Sequence, residues 1–440
     1  FPGSRPRHGD YRNRGGIIPY DYERPEQYHS RDMMVAGYLG NGYSYDTIPI
    51  KYIDRETKQI ALAEAHMYGL ESHPKWGHRG HTEYFFLNVL EEIDRPGESY
   101  VDREAGKIYF MFPEGVEPSM ALEVFGSVLE EPILAVEGAS YFHLQNVDVR
   151  CGRAMGVYME GGEHNHIDGC TLSNLGTAAI MLGKGVDADP VKYRHEYTGT
   201  PTARMMGSIM CHTYANTTFN RNAGKHHRIN NCHIYDIGVI GIYLGGGDRT
   251  TLEPGSNVVS NCRIHRTQNI ERSFFGAITV DGVGNTIEHC EIFDLFDIAV
   301  WNWGNDHTFR FNEVHHCLKS ASEKGVIYMG RNPGVFNFRV ENNFFHHNGN
   351  PYGLNAIVHM DDYACGMTFR DNICYRNDRK MFFNSGYLQT VENNIFLDNF
   401  AWDVRPANHE HGIRHGQSVA EWKKTLTGKE VIKQRIFEVI

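Results

Sequence analysis

Ile229-Asn230-Asn231-Cys232-His233-Ile234 is followed by Val259-Ser260-Asn261-Cys262-Arg263-Ile264 and then by Ile287-Glu288-His289-Cys290-Glu291-Ile292. The shared pattern is apolar, any, polar, Cys or Asn, any, apolar. Upstream it occurs at Leu144-Gln145-Asn146-Val147-Asp148-Val149 and Ile167-Asp168-Gly169-Cys170-Thr171-Leu172. Downstream it starts at Phe309, Val340, Phe369 and Val391, with Asn312, Asn343, Asn372 and Asn394 in the fourth place. From Cys232 onward these anchors are 30, 28, 22, 31, 29 and 22 residues apart. A period of this length, with short strands and no helical pattern, means one coil per repeat of a parallel β-solenoid. Leucine-rich and armadillo-type solenoids fail for want of their Leu spacing and 3.6-residue period. The expected fold is all-β, a parallel β-helix.

The anchors are expected to stack from coil to coil. Asn amides can hydrogen-bond along such a ladder, and Cys170, Cys232, Cys262 and Cys290 read as buried stackers rather than disulfide partners. The long step from Cys170 to Cys232 implies an insertion of about one coil or loop. A second strand follows each anchor, at Gly241–Leu244, Ala277–Asp281, Ala299–Trp303, Val326–Met329, Ile357–Asp361 and Met381–Asn384. Period-two alternation puts Ile242, Ile278, Val300, Ile327 and Val358 inside. It points Tyr243, Thr279, Trp301, Tyr328, His359 and Phe383 outward in a row, with Asp281, Trp303 and Asp361 one step further along.

Around this solenoid the expected organisation is an irregular β-rich module over 1–125, the β-helix over 126–405, and a tail over 406–440. In the tail Ser418–Leu426 fits a short helical cap with Ser418 as N-cap.

Composition limits the function classes. With 43 Lys+Arg against 54 Asp+Glu the formal charge is −11, which argues against a nucleic-acid coat or a polybasic membrane-surface protein. No apolar run approaches the roughly 20 residues of a membrane-spanning helix. Nine cysteines with no CxxC pair exclude a zinc ribbon. The chain is rich in Gly (46) and His (25), as suits many turns and polar contacts.

The outward row suggests chemistry. Flat rings suit sugar faces, and coils about 4.8 Å apart let a polymer lie across several of them. Asp361-Asp362 closes one of the strands, His359 shares its face, and Arg331 ends its neighbour. Asp281 is three coils from Asp361, about 14 Å. That exceeds the roughly 5–9.5 Å of a glycosidase carboxylate pair, whereas Asp306 is nearer that range. Glu323, near His315, His316, Lys319 and Arg272, is the kind of carboxylate among cations that a polysaccharide lyase also uses. The pairs His315-His316 and His346-His347 are read as structural, because neighbours on a strand face opposite sides. Gly245-Gly246-Gly247-Asp248-Arg249 lacks a phosphate-loop ending and reads as a turn with an exposed Asp-Arg pair. Asn216-Thr217-Thr218 fits a glycosylation sequon.

Asp281-Gly282-Val283-Gly284-Asn285, Gly304-Asn305-Asp306-His307, Val326-Ile327-Tyr328-Met329-Gly330-Arg331 and Met360-Asp361-Asp362 resemble the right-handed parallel β-helix proteins of the pectate-lyase-like superfamily. More narrowly, they resemble glycoside hydrolase family 141. Asn88–Glu92, Pro96–Glu98 and Tyr100–Arg103 resemble the segment leading into the helix in such proteins. The resemblance implies a secreted or periplasmic glycosidase acting on a complex polysaccharide. It also implies catalytic carboxylates at Glu323 and at Asp361 or Asp362. Trp301, Trp303, Tyr328, Arg331, His359, Asp281, Asp306 and Tyr243 would bind substrate. The chain departs from that pattern at Glu323, Asn332 and His359. No cofactor or metal ligand set is read from the residues; calcium enters only with the alternative of a polysaccharide lyase. A glycan-binding solenoid without catalysis is the third reading.

Overall fold

The computed structural model describes residues 16–40, 42–64, 66, 70, 83–117, 124–186, 201–202, 219–330, 334–351, 353, 355–361, 364–379, 381–384, 386, 388–398 and 403–405. The chain divides into two compact units, Phe1–Gly126 and Ser127–Ile440.

The first unit carries a five-stranded antiparallel sheet in the spatial order Ile17–Pro19, Gln59–Leu62, Asp46–Asp54, Met34–Gly37, Tyr84–Leu87. Ile18, Val35, Ile48, Ile60 and Leu62 form its core. A hairpin, Ser99–Asp102 with Lys107–Phe110, follows.

The second unit is a parallel β-helix of three sheets. Sheet A has ten strands: Leu134–Glu137, Val157–Glu160, Ala178–Leu182, Ile240–Leu244, Ile278–Val280, Val300–Asn302, Gly325–Gly330, Ala356–Asp361, Met381–Asn384 and Asp403–Arg405. Sheets B and C have nine each, running from His143–Gln145 to Thr390–Glu392 and from Asp148–Arg150 to Ile395–Leu397. Every pairing within them is parallel, and each coil passes from A to B to C.

The recurring hexapeptide is a corner joining two sheets rather than one strand. Arg228–Asn230 lies in sheet B and His233–Ile237 in sheet C, with Asn231 between them at φ +56°. The equivalent residues Asn146, Gly169, Asn261, His289, Phe311, Asn342, Asp371 and Asn393 all have φ between 52° and 63°. Left-handed backbone favours Gly, Asn and Asp, which explains the polar third position. There are therefore three strands per coil, one more than the sequence pattern separates.

The fourth position points inward and stacks as expected. The Cys290 amide donates to Asn312 Oδ1 at 2.9 Å, and the Asn312, Asn343 and Asn372 amides donate in turn to Asn343, Asn372 and Asn394. Cys170, Cys232, Cys262 and Cys290 are buried free thiols above this ladder. Around them Ile229, Ile234, Ile242, Ile278, Ile287, Val300, Ile327 and Val358 form one continuous core. Each fully buried aliphatic contributes about 1.5–3 kcal/mol, so stability accrues coil by coil.

The extra residues after Cys170 add no coil, because Ile167 pairs directly with Ile229. They form an insertion between sheets A and B, which includes the antiparallel pair Gly185–Val186 and Pro201–Thr202. Among the described residues no helix is long and apolar enough to cross a membrane. The expected helical cap at Ser418–Leu426 and the sequon at Asn216 lie outside the described residues.

Candidate functional site on the outer face of sheet A

Strand register builds the row across coils: Tyr243 opposes Thr279, then Trp301, Tyr328, His359 and Phe382. The last member is Phe382, not Phe383. Phe383 opposes Met360 and packs on the inner core, because Met381 pairs with the inward Val358 and unbroken alternation then turns Phe382 outward.

The row faces away from the coil interior, but it is not exposed. Tyr243, Trp301, Trp303, Tyr328 and His359 are 1%, 3%, 3%, 8% and 2% accessible. Their neighbours account for this. Tyr243 joins Met155, Tyr158, Met181, Ile240 and Phe275 in a second apolar cluster. The Phe274 ring lies 6.3 Å from Trp301, and the Lys324 ammonium sits 3.8 Å from the centre of that phenyl ring. Segments linking sheet C to sheet A thus lie against this face.

Two tyrosine–aspartate pairs repeat one geometry. Tyr243 donates its hydroxyl to Asp281 Oδ2 at 3.1 Å, and Tyr328 donates to Asp361 Oδ2 at 2.7 Å. In each pair the Asp lies on the next coil, two residues beyond the tyrosine's register partner. Their surroundings differ. Asp281 also takes Arg221 Nε at 2.7 Å and the Gly282 amide at 2.7 Å. Burial alone would raise its carboxyl, but Arg221, Arg249 and the Gly282 amide hold it below the usual carboxylate range. Asp361 takes the Asn384 amide at 2.9 Å, and His359 Nε2 lies 3.8 Å from its Oδ1.

Trp301 and Trp303 stack at 5.4 Å between centroids, and Trp301 meets Tyr328 edge-on at 5.2 Å. Both indole N–H groups are buried without a hydrogen-bond partner among the described residues. Trp303, Trp301, Tyr328 and Asp361 therefore form one chain of contacts.

Glu323 lies at the opposite edge of the sheet, at φ +56° before strand Gly325–Gly330. Gly330 is the register partner of Asp361, so strand length separates Glu323 from Asp361 by about 20 Å. Its neighbour Lys324 is buried, 3.8 Å from Asp297 Oδ2. Burial pushes the Asp297 carboxyl up to about 6, with Lys324 opposing. Asp306 occupies a corner at φ +59°, where its carboxylate takes the Asn337 amide at 2.5 Å. It has the bonding of a turn residue. Arg331 and Asp362 lie outside the described residues.

The Gly-rich turn departs from expectation. Arg249 is 1% accessible rather than exposed, bonded through Nε to Asn305 at 2.8 Å and through Nη2 to the Gly334 carbonyl at 3.1 Å. Sequence reasoning missed Arg221, Asp297 and Lys324, and it misplaced Arg249 at the surface. Arg221 is 60 positions from Asp281, and no local pattern links two such residues.

The histidine pairs also differ from the reading by alternation. His315 Nδ1 lies 2.8 Å from His316 Nδ1, and His346 Nδ1 lies 2.9 Å from His347 Nδ1. His316 and His347 have φ of +53° and +52°, which turns them back onto their neighbours. In the first unit a depression of about 570 Å³, lined by His29, Arg31, Tyr100 and Glu104, is bridged by the Arg31–Glu104 ion pair. It is lined by residues of the first unit alone.

The family description "Right handed beta helix region" matches residues 276–425, which assigns the hand of the coil. No curated protein sequence matches the chain. Among solved structures, one titled "Glycoside hydrolase" superposes with a TM-score of 0.60 at 13% identity, covering 93% of this chain and 75% of the other. Pectate lyase Pel9A is similar at a TM-score of 0.30 and 12% identity, over 62% of this chain and 69% of that one. XylC in complex with xylose gives 0.29 and 12%, over 71% and 65%. At these identities the likeness is one of fold, and only the first superposition carries weight.

Proposed function

We propose that this chain is a carbohydrate-active enzyme that cleaves a polysaccharide by glycoside hydrolysis on the outer face of sheet A. The observation that carries the reading is the contact chain Trp303–Trp301–Tyr328–Asp361. It ends in a carboxylate held by a tyrosine hydroxyl, and both of its indole N–H groups lack a partner among the described residues. Sugars present apolar ring faces edged by hydroxyls, and stacked indoles with N–H groups to donate match both once the linking segments that carry Phe274, Phe275 and Lys324 move off this face. Asp361 is assigned the acid–base work, with Asp362 as the second carboxylate. Asp281, about 14 Å away by coil spacing and held ionised by arginines, is assigned to substrate binding. Strand length removes Glu323 from the reacting pair.

A lyase reading is favoured by one observation, the buried cations Arg221, Arg249 and Lys324 on or beside this face. Such cations would neutralise a uronate. The test is incubation with neutral and uronate-containing polysaccharides, following reducing ends and ultraviolet absorbance together. Hydrolysis releases reducing ends alone, whereas elimination adds an unsaturated, absorbing uronate. Full turnover retained by both Asp361→Asn and Asp362→Asn would overturn the assignment of these acids. Glycan binding with no turnover by the parent chain would leave a binding solenoid.

A further inference from the structure

The outer face of sheet C carries one arrangement twice, on successive coils. His315 Nε2 lies 3.3 Å from Glu291 Oε1, while its Nδ1 meets His316. His346 Nε2 lies 3.0 Å from Glu313 Oε1, while its Nδ1 meets His347. His315 and His346 are register partners, and their rings stack at 4.7 Å and 10°. Ligand atoms of Glu313, His315 and His346 all lie within 4.8 Å of one another.

We propose that Glu313, His315 and His346 bind a divalent transition metal of the zinc class, with Glu291 beside them as the nearest fourth donor. Two imidazoles and a carboxylate are a zinc donor set, whereas calcium and magnesium take oxygen ligands. The orientation is already provided. A ligating histidine needs its other ring nitrogen held, and His316 and His347 hold both Nδ1 atoms. The histidine side chains are each 14% accessible and Glu313 is 49% accessible, so an ion reaches them from solvent. The metal would tie successive coils together. The three ligands span residues 313–346, so only the coil register brings them together.

The test is calorimetric titration of the full chain, first dialysed against a chelator, with Zn²⁺ alone. One equivalent should bind, with a rise in Tm. His346→Gln and Glu313→Gln should each weaken binding at least about tenfold, and His316→Gln, which touches no metal, about 10–100-fold. His164→Gln, a histidine in sheet B's corner stack with His226, should leave affinity unchanged. Undiminished zinc affinity in both His346→Gln and Glu313→Gln overturns the proposal. So does failure of the parent to take up zinc, or several weak equivalents insensitive to these variants. Should the variants not fold, Co²⁺ replaces zinc in the parent chain. Hyperfine-shifted N–H protons from two imidazoles support the site, and fewer than two overturn it.

Discussion

Tyr328 donates its hydroxyl to Asp361 Oδ2 at 2.7 Å, across one coil of the β-helix. Tyr243 and Asp281 repeat the bond three coils earlier with a different charge environment. One strand geometry thus places two carboxylates, and neighbouring residues give them different charge environments. Arg221 fixes the charge of Asp281, whereas Asn384 offers Asp361 an uncharged amide with His359 nearby. Under the hydrolysis proposed above, such a divergence would separate an acid from a permanent anion.

The Tyr328–Asp361 bond should be measurable as a coupling. Tyr328→Phe is expected to cost about 1–3 kcal/mol, and a cycle with Asp361→Asn should return a coupling near 1 kcal/mol or more. Urea unfolding of the four proteins gives the value. Strict additivity would mean that the bond is not made in solution.

Asp281 and Arg221 are 2% and 4% accessible and 2.7 Å apart. Removing one partner strands a buried charge, so Asp281→Asn should destabilise by about 3–5 kcal/mol. Adding Arg221→Met should recover much of that loss. The folded pKa of Asp281 lies below its unfolded value, so its contribution is complete above about pH 4 and is lost as pH falls through the folded pKa. In Asp281→Asn that part of the acid dependence should vanish. A double variant no more stable than Asp281→Asn would contradict this account.

His307 and His227 lie in a corner ladder with Asn165, Asn257 and Asn285. The Asn165 amide donates to His227 Nδ1, His227 to Asn257, Asn257 to Asn285, and Asn285 to His307 Nδ1. Burial pushes His227 down to about 4 and His307 down to about 3. Both stay neutral in the folded chain below pH 6.5, where the unfolded chain takes up protons. Stability should therefore fall as pH drops from about 6.5 toward 4, by about 2 kcal/mol at pH 5 for His307 alone. His307→Asn, which places the ladder's common residue there, should keep the fold at pH 7 and flatten this decline. Tm measured between pH 4 and 8 decides, and an unchanged slope would count against His307.

The fold was legible because stacking writes itself into sequence. Each corner needs a left-handed residue and then a small inward polar or thiol side chain, so Asn231-Cys232 and Asn342-Asn343 look alike. The three-strand coil was harder to read, since Arg228–Asn230 and His233–Ile237 are separated by only two residues and blend into one run. Alternation found the Tyr243–His359 row but not its burial, because the covering groups Phe274, Phe275 and Lys324 lie in linking segments without a period. His316 was misread for a related reason. Alternation holds inside a strand, and His316 is the first residue past the end of Glu313–His315, with positive φ. Part of the histidine excess forms stacked rungs. His143 lies on His166, His164 on His226, and His265 on Phe293.

The cysteine ladder makes the last prediction. Cys170, Cys232, Cys262 and Cys290 are free thiols buried at one corner of successive coils, Cys317 is a free thiol buried past the end of the sheet C strand Glu313–His315, and Cys151 is a free thiol at intermediate exposure. The Sγ atoms of Cys232 and Cys262 point at the Asn230 and Ser260 carbonyls, each at 3.2 Å. Burial raises the Cys170 and Cys317 thiols above their ordinary range, and alkylation requires the thiolate. Iodoacetamide on the folded chain, read by peptide mass spectrometry, should therefore modify Cys151 and spare the other five. In denaturant all six should react at similar rates, with no prior reduction needed. Modification of Cys262 in the folded chain at the rate of Cys151 would show that the coils open. A requirement for reductant before the ladder cysteines react would show that they pair as disulfides after all.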